Sequence, residues 1–143
     1  MRSIASVPTQ RPARYGKQLV SHMGRKIKGL WDGESGQLDF NGGGDVRLSS
    51  QDASLTLELS CEESEVDRFE YIVGVHLARF GSKDALSVAW KREDGTEGTV
   101  QGPYSEADMQ AFAEAKKARL AAQAAEKAKE AAVAEGAPTA PSA

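Results

Sequence analysis

The hydrophobic residues of this chain switch between helical spacing and strict alternation, and that alternation of periods constrains the fold more than any other feature. From Pro12 to about Arg25 or Lys26 the spacing is helical. Tyr15, Leu19, Val20 and Met23 share one arc, with Gly16 among them, while Arg14, Lys17, Gln18, Ser21 and Arg25 take the opposite arc. An apolar stripe backed by a polar one predicts an amphipathic helix, here with a basic outer face. Pro12 suits its first turn, where a missing N–H costs nothing. Gly16 inside the apolar arc lowers helix propensity but would let the helix approach a sheet closely.

From Gly29 to Leu59 the period becomes two. Leu38 and Phe40, then Val46 and Leu48, then Leu55, Leu57 and Leu59 alternate with polar neighbours. Asp32-Gly33, Asn41-Gly42-Gly43-Gly44 and Ser50-Gln51-Asp52 separate them, and Gly and Asn accept the positive φ that tight hairpins need. This reads as a meander of three or four antiparallel strands, the first holding Leu30 and Trp31. Ser64-Glu65-Val66-Asp67 resembles a capping box. The helix it would open carries Val66, Phe69, Ile72, Val73, Leu77 and Phe80 on one face and stops at Gly81. Leu86, Val88 and Trp90 alternate in a last strand, and Ser3–Val7 reads as a first one. The expected core, residues 1–92, is α+β in the order β-α-β-β-β-β-α-β: a largely antiparallel sheet with two amphipathic helices on one face.

Residues 93–104 are turn-rich and form either a linker or a hairpin at the sheet edge. Residues 105–135 are rich in Ala, Glu, Lys and Gln. They predict a charged helix, about 30 residues and ~45 Å long. Its apolar stripe, Met109, Phe112, Ala113 and Leu120, covers only the first half. It could dock on Tyr71, Val75 and Ala78 at the back of the second core helix, or pair with a second copy as a homodimer. Residues 136–143 read as a disordered tail.

The net charge is −3, which argues for neither nucleic acid nor an acidic membrane surface as a partner. The average hides a segregation: the first 31 residues hold seven Lys and Arg and no acid, whereas residues 32–104 are strongly acidic. The single cysteine, Cys61, cannot form an internal disulfide. The N-terminus lacks an apolar targeting segment, and no stretch approaches the ~20 apolar residues of a membrane span. A cytoplasmic protein is the expectation.

Two segments carry a resemblance. The helix Ala13-Arg14-Tyr15-x-Lys17-Gln18-Leu19-x-x-His22 and the segment His76-Leu77-x-Arg79-Phe80 are similar to those of the bacterial domain-of-unknown-function family 2218, over about residues 3–92. Similar proteins often carry a second histidine three residues after the first, where this chain has Arg25. The resemblance implies an accessory role near iron uptake, since similar domains are sometimes attached to siderophore-interacting flavin reductases.

His22 and His76 are the only histidines. On helices over one sheet face their rings could meet, next to Tyr15, and hold a small ligand, a transition metal or haem iron, or relay a proton. Two imidazoles are too few for a closed zinc site, which takes four ligands. Arg14, Lys17 and Arg25 are anion-binding candidates; otherwise they form a solvated face or pair with acids of the second helix or the tail. Cys61 falls just before a helix start, where the dipole lowers a thiol pKa and the adjacent Glu62 and Glu63 raise it. No phosphate loop, dinucleotide fingerprint, catalytic carboxylate pair or cysteine cluster occurs, and no cofactor is implied. The expected function is a small binding or accessory module for an unidentified ligand or protein partner, with the C-terminal helix as an interaction element or the histidines as a metal or haem site as alternatives.

Overall fold

A computed structural model describes residues 1–136, with side chains through Val133. The chain forms two units, and the first runs from Met1 to Ser105. It contains strand β1 (Arg2–Pro8), helix α1 (Pro12–Met23), strands β2 (Lys28–Trp31), β3 (Ser35–Asp39), β4 (Gly44–Ser50) and β5 (Ser54–Cys61), helix α2 (Val66–Phe80), and strands β6 (Val88–Arg92) and β7 (Glu97–Gln101). All seven strands make one sheet in the order β2-β3-β4-β5-β1-β6-β7, antiparallel at every pairing.

Register puts one apolar row on one face. Ala5 of β1 lies between Leu57 and Trp90, Leu57 lies opposite Leu48, and Val46 lies opposite Leu38. All are essentially inaccessible, and the alternate residues of β1 point to solvent. Both helices cover this apolar face, and their stripes join the same core cluster. The α+β architecture expected from periodicity is therefore the one observed. The meander has four strands, and the glycine of α1 seats the helix on the sheet. A Cβ at Gly16 would lie 2.6 Å from the Trp31 ring.

Three local expectations are corrected. First, α1 ends at Met23, so Arg25 sits in the turn beyond it. Second, Ser64 caps nothing: a short 3-10 turn, Glu63–Glu65, precedes α2, whose N-cap is Glu65 without a side-chain capping bond. Third, Val75 and Ala78 are no exposed back patch. Both are buried, and only Tyr71 is exposed. Ala78 lies under the chain leaving β7, where a Cβ on Gly102 would meet it at 2.9 Å. Of the two readings of residues 93–104, the structure has the hairpin, with β7 paired to β6 and the break at Asp94-Gly95.

The remaining described residues form helix α3 (Glu106–Gly136), 31 residues long, with Leu120 and Val133 exposed. Gly136, expected to stop it, is its last helical residue. The expected disordered tail lies outside the described residues beyond Gly136. Among the described residues no helix is long and apolar enough to cross a membrane.

Candidate functional site

The two helices bring the histidines together. His22 is in the last turn of α1 and His76 in the third turn of α2, each half-buried. Their ring centroids are 5.1 Å apart with the planes tilted by 42°. Phe80, one turn beyond His76, meets His22 edge-on at 5.2 Å. The His76 Nδ1 lies 2.6 Å from the Ile72 carbonyl oxygen. A carbonyl can only accept, so Nδ1 carries the proton and Nε2 keeps its lone pair in the neutral ring.

Beside this pair opens a cavity of about 370 Å³ lined by Arg14, Lys17, Gln18, Ser21, His22, Arg25 and Phe80. One helical face supplies most of it, because positions three and four apart are neighbours. Arg25 completes it from the turn after α1. Among the described residues Arg14, Lys17 and Arg25 make no ion pair. The alternative in which acids of α2 neutralise this arc is not what the structure has, since Asp67 and Glu70 serve Arg92 and Glu65 serves Arg68. Among the described residues no acid lines the cavity.

Tyr15 stands apart from this group. Its ring is buried and its hydroxyl donates to Asp84 Oδ2 at 2.5 Å, tying α1 to the turn after α2. Burial, and then the bond to Asp84, push its pKa up. It acts as a tether and not as a wall of the cavity. Cys61 ends β5, packed against the core, and burial raises its thiol. That is the opposite of activation. Among the described residues no group of three or more His, Cys, Asp or Glu could hold a metal ion.

The sequence reading passed over the most buried charge in the chain. Glu70 of α2 is 0% exposed. It accepts from Ser3 Oγ at 2.6 Å, from the Arg92 guanidinium at 3.0 and 3.1 Å, and from the Thr99 N–H and hydroxyl at 2.9 Å each. Arg92 also bonds Asp67. Burial alone would raise the Glu70 pKa, but Arg92, Ser3 and Thr99 outweigh it and hold it below the usual range. The signal was present, because Glu70 falls in phase with Val66, Val73 and Leu77. Nearby, Trp90 donates its indole N–H to Gln101 at 2.8 Å, and Gln101 donates to Thr99 at 2.8 Å. These bonds join β1, α2, β6 and β7 into one structural network.

Comparison with known sequences decides the family. Residues 4–91 match the family described as uncharacterised proteins conserved in bacteria, DUF2218. The chain belongs to DUF2218. The match spans both helices and β1 through most of β6, so the whole candidate cavity lies within the DUF2218 region. No curated protein matches the chain. Among solved structures it is similar to PA4090 from Pseudomonas aeruginosa, determined by NMR, with 28% identity and a TM-score of 0.53. That likeness covers 63% of this chain and 94% of PA4090.

Proposed function

We propose that this DUF2218 protein is a binding module for a small organic anion held in the cleft between α1 and the end of α2. One observation carries the reading. Among the described residues, three cations without an ion pair, a histidine and an aromatic ring surround one cavity of about 370 Å³ whose lining includes no acid. Binding pockets commonly join an apolar wall to a few converging polar groups. Here Phe80 and the His22 ring supply the flat wall, and Arg14, Lys17 and Arg25 supply charge. Gln18 and Ser21 add neutral donors. Arginine suits carboxylate and sulfonate oxygens because its planar fork matches their geometry.

The test is a titration of the isotope-labelled chain with benzenesulfonate and benzoate, followed by NMR, against neutral benzyl alcohol. Anions are expected to shift the amide signals of Arg14–Arg25 and Phe80. Replacing Lys17 and Arg25 by Ala should weaken binding by about tenfold or more, the scale of one or two charge-assisted hydrogen bonds. Equal binding of the neutral alcohol, or indifference to both substitutions, would refute the reading.

A second reading rests on the imidazole pair at 5.1 Å. Two neutral histidines could hold a transition metal with its other positions open, at an affinity lowered by the three cations nearby. A stoichiometric metal or a haem absorption band lost on His22→Ala would favour it.

A further inference from the structure

We propose that the β2 edge of the sheet is a self-association surface, on which a second copy of this chain pairs its own β2 antiparallel to make one sheet across two protomers. The two edges of the sheet differ. At β7 the register shifts between Ala89 and Lys91, and the Thr99 N–H is taken by Glu70. Bulges of this kind blunt an edge. At β2 the pairing with β3 is regular. The Asp32 N–H donates to the Ser35 carbonyl, and ladder bonds involve every second residue, so Lys28 and Leu30 also bond β3. The N–H and C=O groups of Gly29 and Trp31 therefore point along the open edge, and among the described residues none of them has a hydrogen-bond partner. Such a row is a template for another strand. Leu30 between them is 74% exposed, more than any other large hydrophobic among the described residues.

The register of self-pairing follows from which groups are open. Setting Gly29 opposite the partner's Trp31, and Trp31 opposite the partner's Gly29, satisfies all of them. Centring the pair on Gly29 would call on the Ile27 N–H, which already donates to the Met23 carbonyl. Centring it on Trp31 would set Gly29 against the partner's Gly33, in the turn beyond the strand with φ +109°. In the favoured register Leu30 meets its own copy at the two-fold axis, as a close pair with Cα atoms ~4.5 Å apart. Gly29 and Trp31 are the residues that approach α1, so the Leu30 pair lies on the opposite face of the sheet. On that face Lys28 comes opposite the partner's Asp32. Lys28 makes no ion pair among the described residues. The Asp32 carboxylate is exposed and is held at the strand end by the Glu34 and Ser35 N–H groups and the Ser35 hydroxyl. Backbone, apolar contact and charge thus agree on one self-complementary arrangement. A strand of four residues buries less than the ~1,200 Å² of a stable interface, so the dimer is weak and forms at high concentration.

The experiment is sedimentation equilibrium of the full chain from about 10 μM to about 1 mM, with amide hydrogen exchange over the same range. A reversible monomer–dimer equilibrium is expected, with the Gly29 and Trp31 amides slowing as dimer forms. Leu30→Lys puts two like charges at the axis and should leave only monomer. Lys28→Glu meets Asp32 with the same sign and should weaken association about fivefold or more. Both positions are exposed, and NMR spectra establish that each variant folds. In a Cys61→Ser chain, Leu30→Cys should oxidise to a disulfide-linked dimer, because facing residues at the axis lie within disulfide reach. Lys28→Cys, which faces residue 32 of the partner, should not. If Cys61→Ser does not fold, the amide protection in the native chain reports the same register. A monomer at every concentration refutes the proposal. So does a dimer in which the Gly29 and Trp31 amides still exchange fast, because the edge is then left for a different chain. Association that persists in both Leu30→Lys and Lys28→Glu belongs to another surface, α3 included, and also refutes it. Cross-linking of Lys28→Cys as readily as Leu30→Cys overturns the register.

Discussion

The two halves of this sheet treat charge in opposite ways. Under α2, the carboxylate of Glu70 is sealed from water and accepts bonds from Ser3, Arg92 and Thr99. Along α1, Arg14, Lys17 and Arg25 face an open cavity and make no ion pair among the described residues. The same residue types are in one place consumed by the fold and in the other left over. A buried charge must be paired or the fold fails, so the first arrangement says little about ligands. Charges held around a concavity without partners are not needed by the fold, and that makes them the better guide to function.

The largest expected effect breaks the network side. Arg92→Ala leaves the Glu70 carboxylate buried without its cation, and unfolding by urea should show a loss of about 3–5 kcal/mol. A loss under about 1 kcal/mol would mean that water reaches Glu70 and that the contrast between the halves is false. The pH dependence has a definite sign. Glu70 titrates below its ordinary value in the folded chain, so its stabilisation is complete above about pH 4.3 and disappears as pH falls through the depressed folded value. In Glu70→Gln that segment of the acid unfolding curve should flatten.

A smaller effect tests the tether that keeps Tyr15 out of the cleft. Tyr15→Phe removes the bond to Asp84 and should cost about 0.5–1.5 kcal/mol, read from the same urea curves. Burial raises the Tyr15 pKa in the folded state, so the folded chain resists its ionisation. That contribution is complete below about pH 10 and is lost as pH rises through the folded value, so the phenylalanine variant should lose less stability at alkaline pH than the native chain. An equal alkaline loss in both would show that the hydroxyl is solvated and free to serve the cavity.

Much of this contrast was legible in the sequence, and the parts that were not share a cause. The phase of α1 placed Leu19 in the core and Lys17 outside, and the alternation of Leu55, Leu57 and Leu59 set the sheet face, because burial on one side imposes a period. Local patterns cannot report what a distant segment covers. Ala78 read as surface because the chain leaving β7 lies over it. Glu70 does not stand out among the acids of residues 32–104 because its partners Ser3, Arg92 and Thr99 come from three strands far away in sequence. The meeting of His22 with His76 followed from placing both helices on one face. Which member would line the cavity did not, since that depends on side-chain directions set only by packing.

The smallest expected effect is the most discriminating. Arg14→Ala, Lys17→Ala and Arg25→Ala each remove an exposed cation without an ion pair, and surface changes of that kind stay within about 0.5 kcal/mol. Relieving the repulsion among three neighbouring cations could even raise stability slightly, and salt should shrink the gain by screening it. The same urea curves that register Arg92→Ala as a large loss should therefore leave these three beside the native chain, while the anion titrations separate them from it. A clear loss of stability at Lys17 would place it in the same class as Arg92, as a charge the fold requires, and the cavity would then be a by-product of packing. Unchanged stability together with weakened anion binding would leave ligand recognition as the role these residues perform.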